Sequence, residues 1–180
     1  MKLFHKPLLW LLPLVMLLLG SNCGLITPQR DHDMSIVYVM RHAEKDLTPG
    51  LADPPLTPAG QQRAVALREK IFKQARPSAI FTTNTTRTRT TVAPLAELLK
   101  VTPQVYDAKQ LPALATRIRR EYQDRVVVVV GHSNTILETV EALGGKRPVE
   151  IIKDDEYGYL FKVALPRDST RATIVETQSY

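Results

Sequence analysis

The sequence predicts an α/β domain, a three-layer sandwich with a mainly parallel central sheet, helices on both faces and a C-terminal antiparallel hairpin. Three observations carry this reading. Short β-branched runs such as SIVYVMRH and RVVVVVGH alternate with longer segments of helical periodicity. The valines Val126 to Val130 are apolar at every position, as in a strand covered on both faces rather than one. The chain closes on two strand-like segments, YLFKVALP and RATIVETQSY, joined by the turn-forming RDST.

SIVYVMRH is read as the first buried strand, ending at Arg41 and His42. Glu44 to Pro55 is rich in Asp, Pro and Gly and is assigned to loop. In LTPAGQQRAVALREKIFK, Thr57 is placed as the N-cap and Pro58 at the first helical position, with Ala64, Leu67, Ile71 and Phe72 at helical spacing. SAIFTTN is a second strand, and TRTRTTVAPLAELLK a helix bent or broken at Pro94. TPQVYD follows as a third strand and LPALATRIRREY as a third helix. RVVVVVGH is the fourth strand, and a helix over roughly Thr135 to Leu143 stops at Gly144–Gly145.

The N-terminus reads differently. Residues 1–22 have a basic start (Lys2, Lys6), an apolar stretch from Leu8 to Leu19 and then Gly20 and Ser21, the layout of an export signal. Cys23, the only cysteine, directly follows and resembles the lipid-attachment cysteine of bacterial lipoproteins, although Asn22 stands where Gly or Ala is usual. The expected organisation is a signal over 1–22, Cys23 as the first residue after cleavage, a tether over 24–33 and one domain over 34–180. An exported, periplasmic protein follows, held at the membrane by a lipid or an uncleaved anchor, with simple cleavage and secretion as the alternative.

Loss of Lys2 and Lys6 would reduce the net charge from +6 to +4. The positives are scattered or interleaved with acids, as in IRREYQDR, and aromatics are 6% of residues, so nucleic-acid binding has little support. A lone cysteine in the signal region leaves no four-cysteine metal site and no cysteine nucleophile in the domain.

In parallel sheets ligands bind beyond the carboxyl ends of the strands. Arg41–His42 and Gly131–His132 both occupy such ends, so topology brings two histidines 90 positions apart to one rim. Several chemistries can be set aside. GHSNT has Thr135 where a serine nucleophile elbow needs its second Gly, and no histidine follows His132 to complete a triad around Ser133. His42-Ala43-Glu44 begins like a zinc deaminase but lacks the cysteines. Asp31-His32-Asp33 precedes its strand, the wrong edge for a two-aspartate phosphatase. What remains is arginine-flanked histidine chemistry. Neutral imidazole attacks phosphorus without a metal or other cofactor, and guanidinium groups keep the ring neutral while binding phosphoryl oxygens.

YVMRHAEK, LTPAG, TNTTRTRTT and VVVGHSNT resemble, in order, the motifs of the histidine phosphatase (phosphoglycerate mutase-like) superfamily, over Ile36 to about Leu143. The resemblance implies a metal-independent phosphomonoester phosphatase in which His42 becomes phosphohistidine. Arg41 and Arg87 would bind the phosphoryl group, and His132 would donate a hydrogen bond to it. Thr83 and Thr91 match the family's hydroxyl residues around Arg87, while Arg89 should face elsewhere. Larger members carry a glutamate general acid in a motif this chain lacks. Asp107, at the end of the third strand, is the candidate acid, with a turn or capping role as its alternative. Glu44 is the next candidate, and Lys45 either supports the nucleophile or lines the substrate entrance.

The loop from Glu44 to Pro55 and the segment after Tyr106 leave little chain for a lid. That resembles minimal members of the family, which accept small phosphorylated substrates or phosphohistidine peptides. The alternatives are a phosphoglycerate mutase-type phosphotransferase and an exported phosphate-binding module without catalysis.

Overall fold

A computed structural model describes residues 33–180. The expected signal over 1–22, Cys23 and all of the expected tether except Asp33 lie outside the described residues. Six strands form one sheet in the order β3-β2-β4-β1-β5-β6. These are β1 (Met34–Arg41), β2 (Ala79–Thr82), β3 (Gln104–Val105), β4 (Val126–Gly131), β5 (Tyr159–Pro166) and β6 (Ile174–Ser179), with helices α1 (Pro58–Gln74), α2 (Thr86–Leu99), α3 (Leu111–Glu121) and α4 (Ile136–Ala142) between them. β3, β2, β4 and β1 run parallel. The hairpin joins antiparallel to β1 through β5.

Alternation along the strands sorts the core into two layers. Val37, Val39, Val127 and Val129 pack with Leu114 and Ile118 of α3 and Ile136 and Val140 of α4. Tyr38, Met40, Val128 and Val130 pack with Leu67 and Ile71 of α1 and Val92 and Leu95 of α2. Helices on both faces explain why the valine run needs no polar position: Val127 to Val130 are completely buried.

α1 starts as the sequence predicts, with the Thr57 side chain accepting a hydrogen bond from Gly60 N and Pro58 as the first helical residue. Phe72 stays partly exposed, and Arg76 lies over its ring. Two expectations need correction. The third strand shrinks to Gln104–Val105, because it is the sheet edge and pairs with β2 alone. α2 runs unbroken through Pro94, although that residue has no N–H to donate. Val92, Leu95 and Ala96, buried on both sides of the proline, hold the helix against the sheet.

The register Arg41↔Gly131 sets the site. β1 and β4 are neighbours that end together, so the residues after them, His42 and His132, emerge side by side.

Candidate active site

The main chain fixes His42 first. Its N–H donates to Gly131 O at 3.0 Å, continuing the β1–β4 ladder one residue beyond the strand. Its ring Nδ1 lies 2.7 Å from Ala43 O. A carbonyl can only accept, so Nδ1 carries the proton and Nε2 the lone pair. Ala43 N donates to Thr91 Oγ1 at 2.9 Å, and that hydroxyl donates to Arg87 O at 2.7 Å. One threonine of α2 therefore ties the segment after His42 to the turn that presents Arg87.

His132 is held by its own turn, with its N–H donating to Thr135 Oγ1 at 3.1 Å. Its Nε2 is 2.9 Å from Thr83 Oγ1, at the end of β2. Gly131 is required between strand and histidine because a Cβ there would meet Tyr106 Oη at 2.9 Å and Thr135 Oγ1 at 3.0 Å. The two imidazoles stand edge to face with centroids 5.4 Å apart.

Two arginines border them. Arg41 is 3% exposed; its Nη1 donates to Lys153 O at 2.9 Å and Glu156 O at 3.2 Å, and its guanidinium lies 4.2 Å from the centre of the Tyr157 ring. Arg87, in the first turn of α2, reaches Asp53 at 3.4 Å. The Nε–H of each guanidinium is buried without a hydrogen-bond partner among the described residues. A buried unpaired donor on a cation is costly, and two of them flanking a neutral imidazole describe an anion-binding site.

The histidine phosphatase superfamily (branch 1) matches residues 37–108, a span holding Arg41, His42, Thr83, Arg87, Thr91 and Asp107. Among solved structures, the protein histidine phosphatase SixA with tungstate has a TM-score of 0.65 at 18% identity, covering 80% of this chain and 96% of SixA. A mycobacterial glucosyl-3-phosphoglycerate phosphatase scores 0.60 at 14% identity, covering 81% and 99%. The phosphoserine phosphatase of Entamoeba histolytica with 3-phosphoglyceric acid scores 0.63 at 13% identity, covering 81% and 98%. No curated protein matches the chain. The chain has the histidine phosphatase fold.

The electrostatics of this site follow from its burial. Burial is the main cause that pushes His42 down to about 3, with Arg41, His132 and Arg87 adding to it against the opposing Ala43 carbonyl. His132 is pushed down to about 4, by burial first and then by Arg87, Arg41 and Lys45. Both rings are neutral at pH 7. The influence of Lys45 on His132 and its place beside Arg41, Leu47, Asp154 and Tyr157 in a cavity of about 170 Å³ put it at the site mouth.

The candidate acids fare differently from the cations. Asp107 lies at the carboxyl end of β3, but its carboxylate accepts from Lys109 N at 2.9 Å in an exposed turn. It makes no hydrogen bond or ion pair with Arg41, His42, Arg87 or His132. Glu44 is gripped by Arg63, whose Nε lies 2.8 and 2.9 Å from its two oxygens and whose Nη2 lies 2.6 Å from Oε1. Burial alone would raise this carboxyl, yet the Arg63 hydrogen bonds and charge hold it below the usual range. Arg89 is exposed, as expected. Ser133 borders a separate cavity of about 330 Å³ with Asp154 and Ile151.

Sequence reasoning missed the connection between α4 and β5. It supplies Tyr157, with its ring 6.2 Å from that of His42, and Asp154, 3.8 Å from Arg41 Nη2 and fully exposed. The run Lys153-Asp154-Asp155-Glu156-Tyr157 is the only signal, a cluster of charge too close to a sheet edge to read as more than solvated loop. Asp53 was missed as well; it caps Thr86 N at 2.9 Å. Cavity size is a poor guide here. A larger cavity of about 590 Å³ shares Tyr157 but is otherwise lined by residues such as Arg63, Tyr159 and Gln178 and by neither histidine. The two histidines and the cations around them mark the candidate site better than volume does.

Proposed function

We propose that this protein is a metal-independent phosphomonoester phosphatase that works through phosphohistidine at His42. The observation that carries the reading is the buried, neutral His42, with Nδ1 engaged by Ala43 O, beside two buried guanidinium N–H donors; Nε2 and those donors have no hydrogen-bond partner among the described residues. Nε2 attacks phosphorus as the bond to the leaving oxygen breaks, and that oxygen takes a proton. Water then attacks the phosphohistidine, releasing inorganic phosphate and restoring the neutral ring. Arg41 and Arg87 hold the phosphoryl oxygens through both steps and offset the charge that builds there. His132 turns Nε2 from Thr83 toward the phosphoryl group and donates to it.

Proton transfer falls to Asp154 in this reading. Glu44 is committed to Arg63 and Asp107 to its turn, whereas Asp154 sits beside Arg41 and borders both cavities at the mouth. Small phosphorylated molecules and phosphohistidine peptides are the substrate classes, in keeping with the short loops around the site. In this reading residues 1–22 are an export signal and Cys23 carries a lipid anchor outside the cytoplasm; Cys23→Ala should then move the protein from the membrane fraction to the soluble periplasmic one.

The test is a panel of phosphorylated sugars, amino acids and phosphohistidine peptides, assayed with and without a chelator. Phosphate release that resists the chelator and disappears in His42→Ala supports the reading. Activity that tracks a stoichiometric bound metal, or that survives His42→Ala, overturns it.

A further inference from the structure

The segment after the nucleophile is pinned from two sides. On one side Thr91 of α2 accepts from Ala43 N. On the other, α1 meets the Glu44 backbone directly: Thr57 N donates to Glu44 O at 2.9 Å, and a Cβ at Gly60 would lie 2.2 Å from that oxygen. Leu56 and Lys45 form an isolated bridge next to it. Arg63, one turn further along α1, completes the hold by taking both oxygens of the Glu44 carboxylate. Its remaining nitrogen, Nη1, donates to Tyr180 O at 3.1 Å, so the guanidinium is engaged on every nitrogen and fixed in one orientation.

We infer that Arg63 is a positioning residue for the nucleophile, acting through Glu44 to fix the Ala43 carbonyl that holds His42 Nδ1. The chain of contacts is short: Arg63 to the Glu44 carboxylate, the Glu44 backbone to Ala43, and Ala43 O to the ring. A paired arginine and carboxylate in partial contact with water add little to stability. A bidentate fork is nevertheless directional in a way that a single ammonium is not. Its value here is orientation. If Ala43 O drifts, the ring is free to exchange its tautomer or rotate, and Nε2 leaves the line of attack. Misplacing a reacting atom by about 1 Å can cost on the order of 100-fold.

The inference rests on the phosphohistidine reading, so its test needs one readout that does not depend on turnover. Arg63→Gln, Arg63→Lys, Glu44→Gln and the Arg63→Gln/Glu44→Gln double variant would be compared in the full chain. Phosphoenzyme formation from p-nitrophenyl phosphate should slow about 10- to 100-fold in Arg63→Gln, with KM little changed. Arg63→Lys should fall between wild type and Arg63→Gln. The double variant should be no slower than the worse single one, because both break the same link. Nitrogen-15 NMR of the His42 ring should show a single protonated Nδ1 in the wild type and loss of that preference in Arg63→Gln and Glu44→Gln, while thermal unfolding shifts by a few degrees at most. An unchanged rate and ring signal in Arg63→Gln, or losses that multiply in the double variant, would overturn the role. If Arg63→Gln does not fold, Glu44→Gln carries the same two readouts. A wild type that forms no phosphoenzyme would defeat the phosphohistidine reading, yet the NMR comparison would still decide whether Arg63 governs the His42 ring.

Discussion

His42 and Arg87 enter the site from elements held at both ends, β1 in the middle of the sheet and α2 packed on its face. Asp154 and Tyr157 enter it from the connection between α4 and β5, where Asp154 is wholly exposed. In the proposed mechanism the phosphoryl end of the site is thus built from strand ends and a helix start, with buried threonines locking the parts together. The proposed leaving-group end is built from loops. The difference teaches where substitution should hurt. At the first end the cost is lost chemistry and lost folding together; at the second it is a change of preference among substrates.

Removing the nucleophile should have the largest effect. His42→Ala should lower turnover on the order of 10⁴-fold or more, the scale seen when a covalent catalyst is removed. Arg87→Ala comes next; the loss of one charge-stabilising donor is typically worth ~10²–10³-fold. Steady-state kinetics on an aryl phosphate would rank the two, and an Arg87 variant as active as wild type would place the anion site elsewhere.

Thr91→Val probes the lock between the two parts. It keeps shape but leaves the Ala43 N–H without its buried acceptor, a loss of ~1–3 kcal/mol. Denaturant unfolding should show that loss alongside reduced activity. A stable, fully active variant would mean that α2 does not hold the nucleophile segment.

Acid should weaken the same end. The unfolded chain protonates His42 once pH falls below its ordinary value near 6.5, while the folded chain keeps the ring neutral down to about 3. The unfolded state therefore binds the extra proton, and stability declines as pH drops through that window, by ~1.4 kcal/mol per pH unit for this one group. Above pH 7 the group contributes no slope. His42→Gln should flatten the decline between about pH 6 and 4; an equal slope in the variant would assign the effect to other groups.

The smallest effects belong to the loop end. Asp154→Asn should slow alkyl phosphates by ~10²-fold or less while sparing aryl phosphates, whose leaving group needs little protonation. Asp107→Asn should change neither, because asparagine can accept from Lys109 N as aspartate does. If the two variants exchange these behaviours, proton transfer belongs to Asp107 and the assignment to Asp154 falls.

The same division explains what the sequence reveals. Val126 to Val130, the Thr57–Pro58 helix start and the two histidines at strand ends all follow from local rules of burial, capping and topology, and the structure agrees with them. Thr83 and Thr91 could be matched only through the family pattern; their hydrogen bonds to His132 and Ala43 arise from packing across 49 and 48 positions. What is not legible in the sequence has a common cause. Of the two roles open to Asp107, its geometry fits the turn: β3 is a two-residue edge and the Asp107 carboxylate accepts from Lys109 N. Asp154 and Tyr157 have no periodic pattern around them, and only the approach of their loop to Arg41 gives them a place. Arg63 lies within α1, and only the packing of Glu44 against that helix gives its side chain a partner.

The central claim is that a phosphoryl group passes through His42. Rapid denaturing quench of the full chain during turnover of a labelled phosphomonoester, followed by peptide mapping, tests it most directly. The account predicts an acid-labile, alkali-stable phosphoryl group on the peptide that contains His42, absent from His42→Ala. Label on Ser133 or on His132, or turnover with no trapped phosphoenzyme under conditions where dephosphorylation is slowed, would contradict it.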